Sequence, residues 1–428
     1  MRTRQSATLA VDAALRARRA AGEDVLHLAF GEAGLPVPEA VAERLRAAAR
    51  LNGYGPVAGS AEAREAAAGW FGRRGLPTDA GRVVFAPGSK PLLYALIAAL
   101  PGDVVLPRPS WVSYAAQSAL AGKRVHRVPV PDAAGGIPDP EALAALLARE
   151  RPGVLVLTVP DNPTGTVAGR EVLAEVCALA ERHGLAVVAD EIYADLLHPD
   201  GPSRAGEAPG ARGTEGTPSA AALLPERTVV TTGLSKATAL GGWRVGFARV
   251  PEGPWGDAVL EELTGVASEI WSALAAPMQA AAAWVLGDPP EVRDHVGASR
   301  RLHAAVARAV HAEFTAAGAL CRPPAAGFYL YPDFGPLRAE LAERTGVSTG
   351  AELAAALLER HGVGVLAGAE FGDDPAALRF RAATSLLYGE TEAERRLALG
   401  SADPLALPWI SGALTRLRAA LAEVTGRA

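Results

Sequence analysis

From residue 82 to residue 231 the chain repeats one pattern: a short apolar run, a turn marked by Gly or Pro, then an amphipathic stretch. The runs are Arg82-Val-Val-Phe-Ala86, Asp103-Val-Val-Leu106, residues 125–130, Val154-Leu-Val-Leu-Thr158, Leu185-Ala-Val-Val-Ala189 and Arg227-Thr-Val-Val-Thr231. Helical periodicity over residues 92–100, from Trp111 onward, and over 140–150 and 171–183 separates them. Strands apolar on both sides are buried on both faces, and parallel neighbours need a crossover that a helix supplies. The pattern predicts an α/β fold with a mostly parallel sheet sandwiched by helices. In such sheets the ligand sits at the carboxyl ends of the strands. The motifs that carry chemistry in this chain each follow a strand, so they are expected to gather at one edge.

The pattern lapses outside that stretch. Residues 25–30 read as a strand, 31–38 as a Gly/Pro loop and 39–50 as a helix. A flexible loop at 52–59 carries Tyr54, and Ser60 caps a helix running to about residue 74. Residues 198–225 are rich in Gly, Ala, Pro, Ser and Glu without periodicity and read as a long exposed loop. Beyond Gly246 come Ala-rich helices at about 261–286 and 290–317, strands within 318–332, a helix at 351–361, strands at 363–366 and 378–384, and a last helix at 414–424. The expected organisation is a large domain over 51–290 and a smaller α+β domain made of 1–50 and 291–428.

Charge and composition remove several classes of function. The 47 acidic residues outnumber the 42 Lys and Arg, and no basic block stands out, which argues against nucleic acid. Cys177 and Cys321 are far apart in no metal or redox spacing and read as small core residues. The eight His are scattered without zinc-ligand spacing, so no metal is expected. No apolar run is long enough to span a bilayer. Residues 1–21 hold five Arg and one acid; Leu9, Val11, Ala14 and Leu15 recur at helical spacing. An amphipathic helix is expected there rather than a targeting peptide, and a cytoplasmic location with it.

The strand ends hold a set of polar residues that make sense together. Lys236 stands among small and apolar residues in Thr232-Gly-Leu-Ser-Lys236, with Arg244 eight residues on. Burial disfavours a charged amine, and a neutral lysine attacks carbonyls and holds aldehyde cofactors as Schiff bases. The plain alternative is a surface lysine on a Gly-rich loop. Gly88-Ser89-Lys90 opens a helix, where free N–H groups suit a phosphate, although most such pairs are only caps. Arg244 could bind the same phosphate through two N–H groups. Asp190 ends an apolar strand, where a carboxylate wants a buried cation; a protonated pyridine nitrogen is one, and a helix cap or ion pair is the other reading. Asn162 and Tyr193 could donate to a ring oxygen, and Trp111 could stack on a ring face or simply fill core.

With these residues in place the sequence resembles the pyridoxal-phosphate enzymes of fold type I, most closely the class I/II aminotransferases of the aspartate aminotransferase superfamily. The likeness rests on Tyr54 with Gly59, Gly88-Ser-Lys90, Pro109-Ser-Trp111-Val-Ser-Tyr114, Asp161-Asn-Pro-Thr-Gly165, Asp190-Glu-Ile-Tyr193, Ser235-Lys236 with Gly242-Trp-Arg244-Val-Gly246, and Arg379, in the family's order over about residues 25–390. It implies a large domain with a seven-stranded sheet and a homodimer. It also implies a ping-pong transfer of an amino group between an L-amino acid and a 2-oxo acid.

By the same resemblance Lys236 forms the Schiff base and moves the proton, Asp190 pairs with the pyridine nitrogen, and Asn162 and Tyr193 hold the ring hydroxyl. Trp111 stacks on the ring. Gly88, Ser89, Lys90, Ser235 and Arg244 surround the phosphate, with Tyr54 reaching in from the other subunit. Arg379 is expected to grip the substrate α-carboxylate, helped by Gly31 and Asn162; Arg381, two residues on, would share its face. Gly233 stands where the family usually has Ser or Thr, which suggests a weaker hold on phosphate. The constellation specifies an electron sink and not the bond broken, so a lyase, cyclase or β/γ-replacement enzyme of amino-acid-derived metabolism is the alternative. A DNA-binding regulator would need a further basic domain, and a nicotinamide dehydrogenase would need a G-x-G-x-x-G after an early strand; neither feature is present.

Overall fold

The computed structural model describes residues 6–199 and 216–427. Most of the expected loop at 198–225, and the first five residues of the expected N-terminal helix, lie outside the described residues. The centre of the molecule is a seven-stranded sheet in the order Val83–Ala86, Gly246–Arg249, Thr228–Gly233, Ala186–Asp190, Val154–Thr158, Val104–Arg108, Val125–Pro129. Gly246–Arg249 runs antiparallel to both its neighbours, and all other pairings are parallel. This is the α/β sheet the repeated pattern implied. Register aligns its chemistry: Thr158 lies opposite Asp190, and Asp190 opposite Thr231.

Period-two alternation sends side chains to two separate cores. Val83 and Phe85 point into one face with Phe71, Leu143 and Phe247. Val84 points into the other with Leu92, Leu96 and Leu263. A third core holds Phe314, Phe334, Phe380, Tyr388 and Leu417 and belongs to the remainder of the chain. The 27-residue helix Pro290–Ala316 enters this third core through Leu302, Val306 and Val310. The segment after residue 400, for which the sequence offered only a final helix, forms Pro408–Thr425 and packs Ile410, Leu417 and Leu421 there.

Several expectations need correction. The helix Glu39–Ala48 was grouped with the second domain, but its Val41 packs in the first core and the helix lies on Ala276–Leu286, so the chain crosses over before Glu39. The single helix expected at 261–286 is two, Pro254–Ile270 and Ala276–Leu286, with Ser272 in a left-handed conformation at the break. The N-terminal helix Ala7–Ala20 buries Thr8, Asp12 and Leu15, not a face built on Leu9, which is 43% exposed. Asp12 turns inward because it accepts a hydrogen bond at 2.9 Å from the buried His27 ring. The expected strand at 363–366 splits: Val363–Gly364 pairs with Leu26–His27, whereas Leu366–Ala367 joins a three-stranded sheet with Phe380–Ala383 and Tyr329–Leu330.

Candidate active site

The carboxyl ends of the central strands meet the three-stranded sheet across a cleft. Asp190, the last residue of its strand, is 3% exposed. Its Oδ2 accepts a hydrogen bond from the Tyr114 hydroxyl at 2.7 Å, and Tyr114 lies 2.8 Å from Thr158 Oγ1 on the adjacent strand. Oδ1 receives only a long bond from the Ile192 N–H, at 3.3 Å. Burial raises the Asp190 pKa to about 6, against the lowering effects of the Tyr114 bond, the Ile192 bond and Lys236. A buried carboxylate so poorly neutralised is matched by a cationic group brought next to it.

Lys236 follows the central strand Thr228–Gly233 through a tight turn. The turn is closed by the Leu240 N–H and the Thr238 hydroxyl, both donating to the Leu234 carbonyl, at 3.1 and 2.7 Å. The Lys236 ammonium donates to the Gly31 carbonyl, and Tyr329 Oη lies 3.5 Å from the same oxygen. A Cβ on Gly31 would meet Tyr329 Oη at 2.0 Å, so only glycine fits this approach. The Lys236 pKa is lowered to about 8, by desolvation first and then by Arg381, with Glu32 and Asp190 opposing and Arg244 adding to the lowering. A large neutral fraction near pH 8 is what a nucleophilic or proton-carrying amine needs.

At the other end of the cleft, Ser89 is the first residue of the helix Ser89–Ala99, and Gly88 precedes it with φ of +94°. A Cβ on Gly88 would meet the Arg244 guanidinium at 2.2 Å. Arg244 takes a left-handed conformation, with φ of +58°, after the 3₁₀ turn Gly241–Trp243, and donates to the Gly241 carbonyl at 2.9 Å. Such backbone strain in a non-glycine residue concentrates at ligand clamps. Lys90 Nζ stands 5.1 Å from the Trp111 ring centroid; desolvation and then Arg244 lower its pKa. Two cations and a helix N-terminus around one glycine form a cradle for a dianion. Glycine at position 233 has a steric reason. A Cβ there would sit 2.5 Å from the Val245 carbonyl and 3.1 Å from Gly246 Cα, so the close approach of the two strands demands glycine.

The third cluster sets Arg379, the expected carboxylate ligand, and Arg381 in different surroundings. Arg379 is spoken for: its Nε donates to Asp333 at 2.8 Å and its Nη1 lies 3.3 Å from Asp373. Arg381 is the residue beside Asn162, donating to its Oδ1 at 3.1 Å and to the Ala29 carbonyl at 2.6 Å. It is 1% exposed, sits between the Tyr329 and Phe371 rings at 4.8 and 4.9 Å, and leaves its buried Nε without a partner. Tyr193 Oη is 2.9 Å from Tyr329 Oη and its ring stands edge-on to the Tyr329 ring.

The fold therefore gathers Gly31, Asn162, Asp190, Tyr193, Lys236 and Arg381 in one region, and Gly88, Ser89, Lys90, Trp111 and Arg244 in the adjoining one. Ser235, half-buried, precedes Lys236 on the turn. Tyr54 stands apart, 99% exposed on its loop. Two residues escaped the sequence reading. Tyr114 stood in a quoted motif without a role, although its position three residues after Trp111 puts both on one helical face. Tyr329 was read only as part of a strand.

Comparison with known proteins agrees with this geometry. The profile of the family "Aminotransferase class I and II" matches residues 23–386. The chain is 32% identical over 376 residues to an aspartate aminotransferase of Streptomyces avermitilis, covering 86% of this chain and 87% of that one. It is 32% identical over 338 residues to an aspartate/prephenate aminotransferase of Thermus thermophilus, covering 78% and 82%. Among solved structures it resembles a Thermus thermophilus aspartate aminotransferase with maleate, with a TM-score of 0.78, 28% identity, and 98% and 97% of the two chains covered.

Proposed function

The chain belongs to the aminotransferase class I and II family, and from that membership we propose that it binds pyridoxal phosphate and that Lys236 is its Schiff-base lysine. The observation that carries the reading is geometric: the buried Asp190 carboxylate, held by Tyr114 at the end of its strand, shares one region with Lys236, whose amine rests on the Gly31 carbonyl. The residues fit the cofactor at three points. The Gly88 cradle suits its phosphate, Asp190 suits a protonated pyridine nitrogen, and Lys236 suits its aldehyde. Pyridoxal phosphate, when bound, supplies an aldehyde that captures amines and a ring that accepts the electrons of a broken Cα bond.

The chain's own residues do the rest. Arg244, Ser89 and the N–H groups after Gly88 hold the phosphate, with Lys90 and Ser235 nearby. Trp111 would lie against the ring. Asn162 and Tyr193 hold its hydroxyl, and Tyr193 is itself fixed by Tyr329. Asp190 keeps the ring nitrogen protonated, and Tyr114 keeps Asp190 in place. Arg381 takes the substrate α-carboxylate with its unfilled donors, beside Asn162 and the Gly31 segment. Lys236, as a free amine, would take the proton from the substrate Cα and return it at the carbon of the cofactor's aldehyde group.

The names of the relatives support aspartate as amino donor, and a four-carbon dicarboxylate, maleate, accompanies the solved Thermus neighbour. The exposure of Tyr54 fits a residue offered to a second copy of the chain, and we take the protein to be a homodimer. Two sets of cores support a division into a large domain ending near residue 290 and a small one made of both termini.

The decisive experiment replaces Lys236 by Ala. Release of oxo acid from aspartate should fall by roughly 10⁴-fold or more, the loss expected when nucleophile and proton carrier go together. Borohydride treatment of the native protein should leave the cofactor's mass on the peptide containing Lys236. A label on another lysine, or turnover that survives the substitution, defeats the assignment.

A further inference from the structure

Behind the turn that carries Lys236 lies a cavity of about 280 Å³; Gly233 and Leu234 line it, but none of the residues given a catalytic or cofactor-holding role does. The turn faces it with Leu234, Ala237 and Thr238, while Lys236 points the other way, to Gly31. Phe247, Val285 and Val296 complete an apolar floor. Its charged side chains are Arg74, Arg293 and Arg300 against Asp195 and Asp288. Arg74 pairs with Asp195. Asp288 is shared by Arg293 at 3.5 Å and Arg73 at 3.8 Å.

That leaves Arg300. Its Nε donates to the Leu197 carbonyl at 2.6 Å, and among the described residues it has no acidic partner. Burial lowers its pKa. A half-buried guanidinium with no acid among its described neighbours has charge left to offer an anion. Nothing in amino-group transfer uses this charge. One surplus cation above an apolar floor is complementary to a molecule with one carboxylate and an apolar body.

We propose that this cavity is a second small-molecule site, which takes a monocarboxylate with its carboxylate on Arg300 and its apolar body against Leu234, Phe247 and Val285. The volume lies at the small end of ligand pockets and suits a body of roughly ten heavy atoms. A ligand here touches the turn between Leu234 and Thr238 from the side opposite Lys236. It stiffens the turn and so couples to the active site without entering it.

The test is calorimetric titration of phenylacetate into the protein saturated with pyridoxal phosphate. Two substitutions probe the cavity. Arg300→Met removes the charge. Gly297→Leu fills the space and keeps the charge; a Cβ at Gly297 meets only the end of Arg301, at 3.6 Å. Each should weaken one class of phenylacetate site by at least tenfold and leave turnover without phenylacetate unchanged. Where Arg300→Met fails to fold, Gly297→Leu alone decides. Phenylacetate binding that neither substitution weakens, or that only Arg381→Met weakens, overturns the proposal. Binding weakened by Gly297→Leu but not by a folded Arg300→Met overturns the role of Arg300.

Discussion

Arg379 and Arg381 stand two residues apart on one run of chain and live in opposite circumstances. Arg379, with its side chain 38% exposed, is neutralised by Asp333 and Asp373. Arg381 is sealed from water, meets only the neutral oxygens of Asn162 and Ala29, and keeps one donor unused. A guanidinium already paired with carboxylates has little left for a ligand. One that is buried among neutral acceptors has been desolvated without its counter-charge, and an incoming carboxylate supplies it. The two positions share a residue type and a strand face; the acids around them separate their roles. Arg300 is a third case, half-buried and without an acid among the described residues, which is why its cavity attracts attention.

The comparison can be broken most directly at Arg381. Arg381→Met should lower kcat/KM for aspartate by roughly 10²–10³-fold, since truncating one partner of a buried charge pair costs about 2–5 kcal/mol. Steady-state kinetics checks it, and an equal loss in Arg379→Met would erase the distinction.

A smaller effect follows for Tyr114→Phe. It removes one hydrogen bond to the Asp190 carboxylate, worth about 1.5 kcal/mol or more for a charged acceptor. Cofactor affinity should drop by about tenfold, read by fluorescence titration with pyridoxal phosphate.

The pH profile sharpens the comparison further. In the cofactor-free protein Lys236 loses its proton as pH rises through about 8, so the rate at which its amine captures pyridoxal phosphate should climb through that range. Arg381 is the largest charge effect lowering that pKa, and Arg379 is not among those acting on it. Arg381→Met should therefore move the rise to higher pH, whereas Arg379→Met should leave it where it is. Movement in the second variant alone would mean that the charges are coupled in some other way.

The smallest effect is expected for Arg379→Met itself. Turnover should stay within about threefold, and urea unfolding should show a loss of no more than about 1 kcal/mol, the range for partly exposed ion pairs.

The sheet was legible because burial on both faces writes an unbroken apolar run into each strand, and Asp190, Asn162 and Lys236 were legible because polar residues at the ends of such runs are conspicuous. The division near residue 50 and the helix around Ser272 were misread because local propensity does not report which core a helix joins. Tyr329 was missed because a tyrosine on an apolar strand looks like any other core aromatic until Gly31 and Tyr193 approach it.

By itself the sequence determined which residue types stand at each strand end, and with them the α/β class and the set of groups able to hold a phosphorylated aldehyde. Only the tertiary structure set Arg379 among acids and Arg381 among neutral acceptors, gave Gly233 its reason and left Arg300 without an acid among the described residues. Periodicity is a property of neighbours along the chain. Charge neutralisation and close backbone approach are settled by residues such as Asp333 and Val245, which lie 46 and 12 positions from their partners Arg379 and Gly233.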